Sequence, residues 1–104
     1  MLKLSIEREG STLNLAGDIN FNTVIDVLKV DIFSNQKGKD GEDPITIDFS
    51  GVKSADSSGL ALMVHWMRNA KRKNSSVTFA NIPEKLIALA EMSNLETVLP
   101  LSHG

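Results

Sequence analysis

Two adjacent serines of this sequence have side chains that could react or be modified. They lie in the segment Ala55-Asp56-Ser57-Ser58-Gly59-Leu60. The segment joins a predicted buried strand to a predicted helix, and loops of this kind carry the sites of parallel α/β folds. Asp56 or Ser57 is expected to cap the helix by accepting hydrogen bonds from its unpaired N–H groups. A hydroxyl there is also a good position for a phosphate, because the helix dipole and the free N–H groups stabilise the added charge.

A serine nucleophile needs a base within hydrogen-bonding reach, and the sequence does not supply one. His65 follows on the same predicted helix, about 10–12 Å further along the axis at a rise of about 1.5 Å per residue. His103 stands near the end of the chain, and no Gly-x-Ser-x-Gly elbow surrounds either serine. Asp56, Ser57 and His65 therefore cannot form a catalytic triad, and we predict that the protein is not an enzyme.

Metal and cofactor sites are not indicated either. The sequence has no cysteine, its two histidines are far apart, and it contains neither a phosphate-binding nor a dinucleotide-binding glycine motif. The carboxylates of segment 37–44 lack the spacing and the distal Glu of a calcium-binding loop. A formal charge of -2, with one Trp and no Tyr, argues against nucleic-acid binding. We interpret the basic run 68–73 as a solvated helix end, and we predict no metal, cofactor or nucleic-acid ligand.

The periodicity of apolar residues predicts the elements that position this segment. Alternation predicts a hairpin over 2–16, and helical spacing predicts a helix over 21–33 with Asn20 or Asn22 as its cap. The remaining predicted elements are a strand over 45–49, a helix over 57–73, a strand over 77–79, a helix over 84–92 that stops near Asn94, and a short strand over 98–99. This order predicts an α/β fold with a mixed, mostly parallel sheet of 4–5 strands and three helices.

Length and hydropathy limit the architecture further. The chain has 104 residues and 41% hydrophobic content, which predicts a single domain over 1–101 followed by a flexible tail over 102–104. The longest apolar run, Leu60–Val64, is far shorter than the roughly 20 residues of a membrane-spanning helix. The first residues alternate between apolar and polar types, which is typical of a strand and not of an export signal.

The helix predicted over 57–73 has two faces on a wheel of about 100° per residue. Its expected core side comprises Leu60, Met63, Val64, Met67 and Ala70. The opposite side comprises Ser58, Leu62, His65 and Asn69, with Trp66 at the border. Leu62 and Trp66 either pack against a neighbouring element or belong to a partner-binding surface that begins at the serines, since Trp is a favoured interface anchor.

Three segments of the chain resemble the signature of STAS domains, the family of the anti-sigma factor antagonists. They are Leu15–Ile19, Ile47–Val52 and Asp56–Leu60. The resemblance extends over nearly the whole chain. It implies the STAS fold, a small α/β domain that regulates a partner protein and performs no chemistry itself.

Two branches of this family fit the residues. In the anti-sigma factor antagonists, a partner kinase phosphorylates the hydroxyl that follows the Asp, and the resemblance assigns that role to Ser57. In the STAS subunit of Mla-type phospholipid ABC transporters, the matching residue lies at the contact with the transporter ATPase. The pair Ser57-Ser58 is the antagonist pattern, whereas the helix start Gly59–Trp66 resembles the transporter branch, which we favour.

We therefore predict a protein that binds the ATPase of an ABC phospholipid transporter in the cytoplasm, peripheral to the inner membrane through that partner. The alternative partner is an anti-sigma factor kinase, with Ser57 as the phosphoacceptor. The predicted partner-binding residues are Asp56, Ser57, Ser58, Leu62, His65, Trp66 and Asn69. We expect no direct insertion into the membrane.

Overall fold

Seven elements follow one another in the part of the chain that the structure, a computed structural model, describes: residues 3–30, 32 and 44–93. They are β1 (Leu4–Glu9), β2 (Thr12–Ile19), α1 (Phe21–Leu28), β3 (Ile45–Ala55), α2 (Ser58–Arg72), β4 (Val77–Ala80) and α3 (Glu84–Met92). The predicted stop at Asn94, the strand predicted over 98–99 and the tail predicted over 102–104 lie outside the described residues. Of the helices described, none is long and apolar enough to cross a membrane.

The four described strands form one sheet in the order β1-β2-β3-β4. β1 runs antiparallel to β2, whereas β2, β3 and β4 are mutually parallel. The predicted fold class is therefore confirmed, with four strands and three helices in the described part. The two parallel connections contain α1 and α2, because a parallel crossover needs a dozen residues or more, and α3 follows β4.

The core lies on one face of this sheet, because the buried residues of β2, β3 and β4 alternate with more exposed ones. Ile45, Ile47 and Phe49 of β3 are buried, and residues 46 and 48 between them are only half-buried. The rings of Phe49 and Phe79 pack edge to face with their centroids 6.0 Å apart. The helices cover this face and contact each other in the order α1, α2, α3.

Helix α1 begins at a capping box and is shorter than predicted. The Asn20 side chain accepts hydrogen bonds from the amides of Asn22 and Thr23, and the Thr23 hydroxyl accepts one from the Asn20 amide, so Asn20 is the cap. The prediction that the helix reaches residue 33 is wrong, since α1 ends at Leu28. The chain turns after that point, and the buried Ile32 reaches the core from beyond the helix.

Candidate functional site

The candidate site lies at the edge of the sheet where parallel strands β2 and β3 both end. Ile19 and Ala55 are paired at this edge, so α1 and α2 begin side by side. Two hydrogen bonds join the end of β2 to the end of β3 and to the residue that follows it. The Asp56 amide donates to the Ile19 carbonyl (3.1 Å), and the Ser54 hydroxyl donates to the Asp18 carboxylate (2.5 Å). The strand ends therefore hold the start of α2 in a defined position.

Asp56 caps α2 through Ser58. One oxygen of its carboxylate accepts hydrogen bonds from the Ser58 amide (2.9 Å) and from the Ser58 hydroxyl (2.5 Å). These two bonds hold the pKa of Asp56 below its ordinary value, and the positive charge of Lys85 lowers it further. The sequence predicted that either Asp56 or Ser57 caps this helix, and the structure confirms Asp56.

Ser57 presents a free hydroxyl at the same helix start. The residue is exposed, and its side chain makes no capping hydrogen bond. Its neighbour Ser58 is half-buried and engaged with Asp56, so the two serines differ in chemistry although they are adjacent. Phosphorylation of Ser57 stays a prediction, and the geometry gives a modifying enzyme or a partner direct access to this hydroxyl.

His65 serves neither as a base for Ser57 nor in a metal cluster within the described residues. Its Nε2 atom lies 3.2 Å from the amide nitrogen of Asn69, one turn further from the start of α2. Among residues 3–30, 32 and 44–93, no group of three or more His, Asp or Glu side chains is placed to hold a metal ion.

The predicted orientation of α2 is wrong by roughly a quarter turn. Leu62 and Trp66 are both 0% exposed, so their side chains pack inside the protein and cannot contact a partner. The reason lies at Gly59, where a Cβ would stand 2.8 Å from a methyl carbon of Leu86. Residues three and seven positions later share the Gly59 side of the helix and are buried with it. Of the two interpretations open for Leu62 and Trp66, packing against neighbours is the correct one.

The outer side of α2 is instead basic. Its cavity, about 370 Å³ in volume, is lined by Leu60, Ala61, Val64, His65, Arg68 and Arg72. We call the last three residues the basic ridge. Val64 is half-buried and not part of the fully buried core that its apolar character predicted. The partner-binding roles predicted for Asp56, Ser57, Ser58, His65 and Asn69 remain compatible with their partial or full exposure.

Sequence reasoning missed an exposed apolar stripe on α1 and the turn after it. The stripe consists of Phe21, Ile25, Leu28 and Val30, and Phe21 is 79% exposed. No sequence signal marks it, because the stripe residues of α1 and the buried Val24 and Val27 fall on one broad apolar arc of the helix wheel. The apolar spacing alone predicted that all these apolar residues face the core.

The apolar stripe and the basic ridge meet in a groove between α1 and α2. A cavity of about 310 Å³ there is lined by Leu28, Lys29, Val30, His65, Asn69, Arg72 and Lys73. Large exposed apolar side chains that form a continuous patch indicate an interaction surface. The arrangement can bind a partner.

Comparison with known proteins agrees with this fold. A family model described as "Mlab, STAS domain" matches residues 2–101. The chain is 32% identical over 99 residues to the intermembrane phospholipid transport system binding protein MlaB of Escherichia coli (strain K12), covering 93% of this chain and 95% of that protein. The MlaB protein of Shigella flexneri matches with the same identity and coverage.

A solved structure supports the fold independently. The crystal structure of an anti-sigma factor antagonist from Mycobacterium paratuberculosis superposes with a TM-score of 0.66, over 100% of this chain and 87% of that one. The identity of 15% limits this likeness to the fold. With a family model that spans almost its whole length, the chain belongs to the STAS domain family, in the group described as Mlab.

Proposed function

We propose that this protein is a non-catalytic regulatory subunit of an ABC phospholipid transporter and binds the ATPase of that transporter. The similarity to MlaB supports the transporter assignment, because it extends over nearly the full length of both proteins. The name of that relative describes a binding protein of a phospholipid transport system. The subunit then works at the cytoplasmic face and is peripheral to the inner membrane through its partner.

The observation that carries this proposal is the position of the apolar stripe. Its first residue, Phe21, begins α1 at the same sheet edge where the free Ser57 hydroxyl begins α2. Burying an exposed aromatic or aliphatic side chain at an interface is favourable by about 1.5–3 kcal/mol. A partner that covers the stripe therefore also reaches Ser57, and the two helix starts act as one docking surface.

Regulation by such a subunit requires that it bind one state of the ATPase more tightly than another. Docking on α1 and α2 leaves the core of the STAS domain unchanged, because the stripe and Ser57 are already exposed. The subunit then shifts the ATPase toward its favoured state without changing its own fold.

A second candidate function is supported by Ser57 itself. A free, exposed hydroxyl at a helix start is a suitable phosphoacceptor, which fits an anti-sigma factor antagonist that a kinase phosphorylates. Both functions use the same surface and differ in the partner.

Purification of the tagged protein from its native cells separates the two candidates. We expect the ATPase of an ABC transporter, together with its permease, to be retained. Retention of a small kinase in their place, with phosphate on Ser57 by mass spectrometry, contradicts the transporter proposal and supports the antagonist.

A further inference from the structure

The basic ridge of α2 has no acidic counterpart among the described residues that line its two cavities. Arg68 and Arg72 are exposed and stand one helical turn apart. No Asp or Glu is among the residues that line the two cavities beside them. The described lining of these cavities therefore carries positive charge and no carboxylate.

Hydrogen bonds on α2 hold part of this ridge in place before any partner binds. The Arg72 guanidinium donates to the Asn69 side-chain oxygen (2.9 Å). Because arginine has only donors, the Asn69 oxygen must face Arg72, and the Asn69 nitrogen must then face His65 Nε2 at 3.2 Å. Arg72 is thereby oriented while most of its N–H donors stay free.

The opposite side of the groove presents two apolar residues, with Lys29 between them in sequence. Leu28 and Val30 of the apolar stripe line the same cavity as Arg72 and Asn69. A ligand that fits this groove needs an apolar side toward α1 and negative charge toward α2. Carboxylates suit arginine in particular, because the planar guanidinium can bind both carboxylate oxygens.

We propose that the groove between α1 and α2 receives an acidic, amphipathic segment of the partner protein, with a carboxylate side chain held between Arg68 and Arg72. The inference rests on the proposed function and specifies the chemistry of the partner surface. A groove bounded by two helices, with apolar residues on α1 and arginine on α2, suits the two-sided surface of a protein segment. Attraction between the opposite charges makes the affinity dependent on salt.

The test measures binding to the purified transporter ATPase of the same organism by calorimetry, at low and at high salt. We expect the double substitution Arg68→Glu and Arg72→Glu to weaken binding about tenfold or more at low salt. Lys71→Glu is the matched control for each single substitution, Arg68→Glu or Arg72→Glu, because it reverses one charge on the same helix outside both cavities. Circular dichroism checks that the variants stay folded, since acidic residues are unfavourable in the last turn of a helix.

Each outcome of this test is decisive. A double variant that binds as tightly as the wild type, or single variants Arg68→Glu and Arg72→Glu that bind no more weakly than Lys71→Glu, overturn the inference and leave the proposed function standing. If the wild-type protein does not bind the ATPase at all, the proposed function and the inference fall together. If the double substitution abolishes binding to anionic phospholipid vesicles and leaves ATPase affinity unchanged, the ridge binds lipid and the inference is wrong.

Discussion

The carboxylate of Asp56 accepts both the amide and the hydroxyl hydrogen of Ser58, at 2.9 and 2.5 Å. The pair closes the first turn of α2 and directs the Ser58 side chain inward. Ser57 lies between the two partners in sequence and takes no part in the arrangement. Folding and partner contact at this helix start thus depend on different side chains, which makes them separable by mutation.

Loss of the Asp56 cap should destabilise the protein without touching Ser57. We expect Asp56→Ala to lower the free energy of unfolding by about 1 kcal/mol, because two N-terminal donors of α2 lose their acceptor. Ser57→Ala, which removes no hydrogen bond, should change it by less than about 0.5 kcal/mol. Urea unfolding followed by circular dichroism measures both values, and equal losses would show that Asp56 is not the cap.

The contribution of Asp56 should disappear in acid. A pKa held below the ordinary value of 3.8 means that the ionised carboxylate stabilises the folded state above that pH. The stabilisation is lost as the pH falls through the lowered pKa of the folded protein. We expect the stability difference between the wild type and Asp56→Ala to be constant between about pH 5 and 7 and to shrink below about pH 4. Comparing the two proteins cancels the contribution of Asp48, whose pKa is also lowered.

A negative charge at position 57 should weaken the partner complex. Ser57→Asp places a charge on the docking surface, where binding would have to remove its water. Asp is favourable at a helix start, so the variant should fold as stably as the wild type. Calorimetric titration with the ATPase should show weaker binding for Ser57→Asp and near wild-type binding for Ser57→Ala; unchanged affinity in both variants would remove Ser57 from the interface.

Apolar residues of the two helices should respond in opposite ways to truncation. Leu62→Ala creates a cavity in the core and should cost about 2–5 kcal/mol of stability. Ile25→Ala removes a half-exposed side chain of the apolar stripe, so it should leave stability almost unchanged and reduce partner affinity. Thermal unfolding and binding titrations check the pair. A large loss of stability in Ile25→Ala would mean that the stripe belongs to the core.

Gly17 should be the more sensitive of two glycines with positive φ. Its φ is +113°, and a Cβ there would stand 1.9 Å from the carbonyl oxygen of Lys3, the residue directly before β1. Gly17→Ala should cost at least about 3 kcal/mol, since a strained backbone and a clash with another strand act together. Gly10 (φ +62°) has no atom within 4 Å of that position, so Gly10→Ala should cost only about 1–2 kcal/mol. Similar losses in the two variants would contradict the close approach of β1 and β2.

The orientation of α2 shows what periodicity does and does not determine. Its apolar residues predicted a helix, and the helix exists. Apolar side chains occupy most of its circumference, however, so sequence alone could not choose which of them face the sheet. The choice depends on Gly59, whose lack of a side chain lets α3 approach and buries Leu62 and Trp66. Contacts between elements that are distant in sequence therefore determine which side of α2 faces the core.

The candidate site was predictable where it depends on local chemistry. The Asp56 cap and the position of the serines follow from residue preferences at helix starts and strand ends. The groove was not predictable, because it forms between α1 and α2 and needs the observed end of α1 at Leu28. A helix continued to residue 33 would have placed Val30 elsewhere.

Because Trp66 is buried, its fluorescence reports whether the protein is folded. Trp66 is the single tryptophan of a chain without tyrosine, and its indole is 0% exposed on the inner side of the helix that carries the basic ridge. Unfolding brings the indole into water, which shifts its emission to longer wavelength. Docking on the outer side leaves the indole enclosed. Emission therefore distinguishes a variant that has lost its partner from one that has lost its fold.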